Sequence, residues 1–261
     1  MSILPRAKQS ANAFEYSLEL VLTDEALVRG NRKIDRDARR ANFRDESQLK
    51  DFGFSFNRSV DRARVFDLAS GHFLSGAKDV LMCGPLGTGK SHVAQAIGHA
   101  VIRIGAVVFY QSIFDVVRDF LHDEAMGGEE KVLTKYLKPD LLIIDDMGIK
   151  QLPKRSGEYL FEIIMRRHEV RSVMMTTNRP LEDWGKLIGD VPGASAILDR
   201  FMQSAEIMKI AGRSYRLKNA EKSSKGTRDA PRWPLFKRPV TKRSQMSRVA
   251  FCDCERMEKK S

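Results

Sequence analysis

A chain of 261 residues, 42% hydrophobic and 30% charged, holds one α/β domain of about 150–200 residues plus smaller appendages and is not dominated by disorder. No apolar run approaches the ~18 residues of a membrane span, and the start MSILPRAKQSANAF lacks the apolar centre of a secretion signal, so the expected compartment is the cytosol and no membrane partner is expected. The net charge of +11 is uneven: from Glu221 onward twelve Lys and Arg face five Asp and Glu, against 33 and 29 in residues 1 to 220.

In chain order, Phe14, Leu18, Val21 and Val28 recur at helical spacing among Glu15, Glu19, Asp24 and Glu25, which predicts an amphipathic helix over residues 13 to 28. Basic residues then fall at 29, 32, 33, 36, 39, 40 and 44, in steps of three and four that line one helical face through Arg44. Such a face suits DNA phosphates or a subunit contact; it is equally the pattern of a solvated helix surface. Residues 1 to 50 are thus expected to form a helical segment for DNA or a partner. Residues 45 to 57, DESQLKDFGFSFN, lose the period and read as a linker into a main domain over residues 51 to 219.

Within that domain, apolar runs at 80–84, 107–111, 141–145, 173–177 and 206–211 read as strands, and residues 90–104, 112–126, 156–170 and 194–203 as helices. This alternation specifies βαβ units and a parallel sheet covered on both faces. Residues 220 to 261, basic and punctuated by proline in APRWPLFKRP, are expected to be an unstructured tail with nonspecific attraction for nucleic acid. Cys83, Cys252 and Cys254 have neither a disulfide framework nor zinc spacing and read as free thiols.

The chemistry is concentrated in Gly84-Pro85-Leu86-Gly87-Thr88-Gly89-Lys90-Ser91, followed by His92. It matches G-x-x-x-x-G-K-[ST], a loop whose backbone N–H groups turn inward around phosphates. Lys90 then reaches the β and γ oxygens of ATP, and Ser91 ligates Mg²⁺. A strand precedes the loop and an amphipathic helix follows it, as the motif requires. Further on, Leu141-Leu142-Ile143-Ile144-Asp145-Asp146 is an apolar strand ending in two acids. Asp145 is placed to hold the Mg²⁺ shell and Asp146 to orient or deprotonate the attacking water.

With a third strand ending in Thr176-Thr177-Asn178 and a later Arg, the pattern resembles the AAA+ ATPases. That resemblance implies a P-loop NTPase fold with a five-stranded parallel sheet in the order 5-1-4-3-2. It also implies that Asn178 positions the water near the γ-phosphate. The phrases DFGFSFNRSVDR, GPLGTGKSHVAQAIGHA, KPDLLIIDDMG, TTNRPLEDWGKLIGD, ILDRF and GRSYRLK, in that order, resemble the IstB family of transposition helper ATPases, relatives of the DnaC-type helicase loaders. The family's pattern implies that Arg200, in the LDR element, acts on a neighbouring subunit's nucleotide. It further implies a homo-oligomer on double-stranded DNA and a cognate transposase as partner. Two alternatives share the same engine: a loader of a replicative helicase, and a nucleotide-gated DNA scaffold with negligible hydrolysis. Asp146 stands where many AAA+ proteins carry Glu, and Arg213 and Arg216 are candidates to replace the arginine of an absent helical lid.

Overall fold

The computed structural model describes residues 4–126, 129–153, 155–188, 191–212, 214 and 215. The expectations for the tail, for Arg213 and Arg216 and for Cys252 and Cys254 lie outside the described residues, as do the side chains of Phe14 and Leu18. The elements in chain order are α1 (Leu4–Arg40), α2 (Arg62–Ala69), α3 (His72–Ser75), β1 (Asp79–Cys83), α4 (Lys90–Arg103), β2 (Val108–Ser112) and α5 (Ile113–Met126), then α6 (Glu129–Leu137), β3 (Leu141–Met147), α7 (Ser156–Arg167), β4 (Ser172–Thr177), α8 (Trp184–Ile188), α9 (Val191–Ser204) and β5 (Ala205–Lys209).

The five strands form one sheet in the order β2-β3-β4-β1-β5, all neighbours parallel. Read from the other edge, this is the expected 5-1-4-3-2. The inner strands β1, β3 and β4 are almost wholly buried, which explains why their sequences show apolar runs instead of an alternation; the edge strand β5, with Glu206 and Lys209, is only partly buried. The alternation reappears in the packing. Leu81, Leu142, Ile144, Val173 and Met175 face the core under α5 to α9. Val80, Met82, Leu141, Ile143 and Met174 face the one under α2, α3 and α4.

The predicted helix over residues 13 to 28 and the basic face beyond it belong to one helix, α1. Three local readings are corrected. Helix α1 stops at Arg40, so Arg44 is not on the basic face: Asn42 turns left-handed at φ 62°, a helix-ending conformation that asparagine tolerates. Residues 62–75, within a stretch left unassigned, form α2 and α3, the first opened by Asp61 accepting from the N–H groups of Ala63 and Arg64. Finally, α6 and α8 are short helices added to those predicted; α6 buries Val132, Leu133 and Tyr136, and α8 buries Trp184.

A structural charge sits at the far end of the sheet from the phosphate loop. Arg167 is 1% exposed, and its guanidinium donates to the carbonyls of Tyr136, Leu137, Pro139, Asp140 and Ser172. It thereby ties the end of α6 to the starts of β3 and β4. No helix among the described residues is long and apolar enough to cross a membrane.

Candidate functional site

The C-terminal ends of β1, β3 and β4 meet beside the first turn of α4, where parallel α/β sheets present their ligand crevices. The loop between β1 and α4 is held from both sides. Gly84 N–H donates to Thr177 O at 3.2 Å, and Gly87 O accepts from Tyr215 N–H at 2.9 Å. Gly89 has φ 96°, and a Cβ there would come within 2.6 Å of the Phe52 ring, so both conformation and space demand glycine. Because α4 begins at Lys90, its first backbone N–H groups have no partner within the helix and are available to an anion. The Lys90 ammonium folds onto its own loop, donating to Gly84 O and Pro85 O at 2.7 Å each. Thr88 closes the loop by donating from Oγ1 to Pro85 O at 2.9 Å.

Asp145 is the hub of the acidic side. Its carboxylate is fully buried and accepts from Ser91 Oγ at 3.0 Å and from the Asp146 N–H at 2.9 Å. It also accepts from the hydroxyls of Tyr110 and Thr176. Burial, and after it the neighbouring Asp145 carboxylate, push the Tyr110 phenol well up, so it stays protonated and keeps donating. A buried carboxylate with this many donors is held in a fixed orientation.

Asp146 sits where the β3–β4 register shifts between Ile144 and Met147, with φ 66°. A left-handed aspartate at a sheet irregularity is a local strain of the kind that accumulates at functional sites. The distortion directs successive acids to different surroundings: Asp145 into the protein, Asp146 into the cleft. Asn178 follows β4, its N–H donating to Met147 O at 3.1 Å. Its side-chain amide nitrogen is oriented to donate to Met147 O and Gly148 O, at 3.0 and 3.1 Å.

One cleft therefore joins Lys90, Ser91, Asp145, Asp146 and Asn178, with Leu86, Gly87, Gly89 and His92 on its walls; Gly84, Pro85 and Thr88 form the base of the loop. Arg200 is not part of it. It is exposed on α9, at the border of the face that buries Ile197 and Phe201.

Apart from His92, already named with the loop, two features of the cleft were not read from the sequence. The first is a pocket beside the loop formed by Phe52, Phe56, Asn57, His92 and Tyr215. Asn57 Nδ2 donates to Thr88 O at 3.0 Å, Phe56 and Tyr215 pack edge to face with centroids 5.4 Å apart, and His92 Nε2 is buried without a hydrogen-bond partner among the described residues. The aromatic density of DFGFSF was the available signal, since linkers seldom carry three phenylalanines in five residues. The second is Arg44, whose Nη1 lies 2.7 Å from Asp146 Oδ2. Burial works against its charge, but Tyr110 and then the carboxylates of Asp146 and Asp145 outweigh this and the guanidinium's pKa is raised.

Comparison with known proteins agrees with this geometry. A family model described as IstB-like ATP binding protein matches residues 2–223. The protein described as ATP-binding in insertion sequence IS5376 of Geobacillus stearothermophilus is 36% identical over 64% of this chain and 66% of its own length. Its counterpart in IS21 of Pseudomonas aeruginosa is 28% identical over 85% and 84%. Among solved structures, the DnaC helicase loader superposes with a TM-score of 0.55 at 21% identity, covering 63% of this chain and 96% of that one. AMPPCP-bound DnaA from Aquifex aeolicus does so with 0.56 at 20%, covering 73% and 58%. The two structural likenesses carry the fold, and the family match carries the nucleotide: the chain belongs to the IstB-like ATP-binding protein family and is an ATPase of AAA+ fold.

Proposed function

We propose that the chain is the ATP-driven helper of a transposase in an insertion sequence, binding double-stranded target DNA as an oligomer and recruiting the transposase to it. The observation that carries the enzymatic part is the buried Asp145 carboxylate, which joins the Ser91 hydroxyl to the backbone of Asp146 in one rigid unit. The pair of a serine hydroxyl and an anionic carboxylate is the donor set that Mg²⁺ takes when substrate phosphates and water complete its shell. Bound there, the ion would draw charge from the β and γ oxygens of ATP. Lys90 leaves the carbonyls of Gly84 and Pro85 for the β and γ phosphates, the N–H groups of the loop and of α4 wrap them, and Asp146 accepts the proton of the attacking water while Asn178 orients it. The pocket of Phe52, Asn57, His92 and Tyr215 takes the base, with the unpartnered His92 nitrogen offering a polar contact.

Arg200 completes the site of an adjacent subunit. Its exposure at the end of α9 supports this assignment, because a residue that neutralises charge on a neighbour's phosphoryl group must be presented at the surface. The case for DNA rests on α1, where Arg29, Arg32, Lys33, Arg36, Arg39 and Arg40 are all exposed. The insertion-sequence setting of the relatives supports the transposase as partner.

Binding of fluorescent duplex DNA, measured by anisotropy across a salt series, tests the DNA assignment. The expected result is ATP-dependent binding that weakens steeply with salt, with a shallower slope when Arg32, Arg36 and Arg39 are changed to Gln. Binding by the triple variant with unchanged affinity and slope would remove α1 from the interface.

A further inference from the structure

The geometry points to Arg44 as a positioning residue that holds Asp146 at rest and releases it when duplex DNA engages α1. The inference rests on the reading of Asp146 as the acceptor of the water proton and of α1 as a DNA contact. It adds the physical link between them.

The link is short and continuous. Where α1 ends, Ala41 is fully buried and its carbonyl accepts from Tyr110 N–H at 2.8 Å, so the chain runs against the outer strand β2. Asn42 Nδ2 donates to Gln111 Oε1 at 2.6 Å. The Phe43 ring then lies over α4 so closely that a Cβ at Gly98 would meet it at 2.7 Å, and it stacks beside His99 with centroids 4.2 Å apart. Next, the N–H groups of Arg44 and Asp45 both donate to Gln95 Oε1, at 2.9 and 3.1 Å, while Gln95 Nε2 donates to Ser91 O at 3.3 Å. The same five-residue arm that leaves α1, Ala41 to Asp45, is therefore fastened through Gln95 to the first turn of the phosphate-binding helix.

From this arm the Arg44 side chain crosses the Tyr110 ring, 5.8 Å from its centroid, and ends on Asp146 Oδ2. A guanidinium at that oxygen takes up acceptor capacity that an attacking water needs. The pair is also easy to exchange: Arg44 is about half exposed, and such ion pairs are weak and screened by salt. Because Arg39 and Arg40 end α1 immediately before the arm, phosphates drawn to this basic end act next to Ala41 and Asn42. A small rotation of α1 there shifts the arm, breaks the Arg44–Asp146 contact and opens Asp146 to water.

The test measures ATP turnover of the full chain at fixed protein concentration, with and without saturating duplex, for wild type, Arg44→Gln, Arg44→Lys and Asp146→Asn. The expected result is a DNA-free kcat about two- to fivefold higher in Arg44→Gln, the factor a half-exposed ion pair supports, with KM for ATP unchanged and DNA stimulation reduced by the same factor. Arg44→Lys, which keeps the charge, restores wild-type behaviour in part. A kcat for Arg44→Gln that is unchanged or lower, a full DNA stimulation in that variant, or a wild type indifferent to duplex overturns the proposal. Asp146→Asn separates the two layers: if it turns over ATP as wild type does, the reading of Asp146 itself fails, whereas an inactive Asp146→Asn beside an unaltered Arg44→Gln rejects the Arg44 link alone. Thermal melts of both Arg44 variants within the wild-type range identify these changes as effects on turnover.

Discussion

Ser91 Oγ donates to Asp145 Oδ1 at 3.0 Å, a contact that ties the first turn of α4 to the end of β3. Since Asp145 receives donors from four directions, an amide there would present two N–H groups to Ser91, Tyr110, Thr176 and the Asp146 backbone. Asp145→Asn should therefore raise the Mg²⁺ concentration needed for half-maximal turnover on the order of tenfold or more and lower thermal stability by about 1–3 kcal/mol. Asp146→Asn, in a cleft-facing position with only Arg44 as ion-pair partner among the described residues, should leave Mg²⁺ dependence and ATP affinity near wild type while lowering kcat on the order of 10²-fold or more. Magnesium titrations of turnover and calorimetric ATP binding distinguish the two, and identical behaviour would refute the division of roles.

Arg200 gives a test of assembly. A subunit carrying Arg200→Ala keeps its own loop, and a folded Lys90→Ala subunit keeps its arginine. Each alone should hydrolyse ATP poorly, and mixing them on duplex DNA should recover part of the activity, because some junctions then pair an intact loop with an intact arginine. Demonstrated co-assembly without recovery would place Arg200 within its own subunit or in a purely structural role.

The Arg167 guanidinium supports a prediction about stability. Arg167→Met leaves the carbonyls gathered from α6, β3 and β4 without their shared donor. The expected cost is about 3–5 kcal/mol, a drop in Tm on the order of 10 °C. Below the new Tm, ATP affinity should hold, because Arg167 lies at the opposite sheet end from Asp145. A Tm within a degree or two of wild type would mean that water replaces the guanidinium without cost.

Much of this architecture is legible in sequence because it is written locally. The loop from Gly84 to Ser91 is contiguous, the acids of β3 directly follow an apolar run, and strands buried on both faces announce themselves by uninterrupted Leu, Ile, Val and Met. Arg167 is the reverse case. It stands among the charges closing α7 and reads as solvated helix surface, yet its burial comes from carbonyls that only the folded chain gathers. The Arg44–Asp146 pair failed to show for a related reason: basic residues at steps of three and four continue arithmetically through position 44, whereas the helix has already ended at Arg40 and a left-handed Asn42 has turned the chain. The pocket beside the loop depends on Tyr215 meeting Phe56, a contact between chain segments with no shared period. Periodicity reports which face of one element is buried and is silent about which distant segment covers it.

The measurement that bears most directly on the account is calorimetric ATP binding by Lys90→Ala in the presence of Mg²⁺, paired with a melting curve that shows the variant is folded. Lys90 already bridges Gly84 O and Pro85 O at the loop, and its ammonium is the cation assigned to the β and γ phosphates. The account expects ATP affinity and turnover to be lost together in a folded protein. A folded Lys90→Ala that binds ATP with wild-type affinity would contradict the placement of the nucleotide, and with it the roles given to Ser91, Asp145 and Asp146.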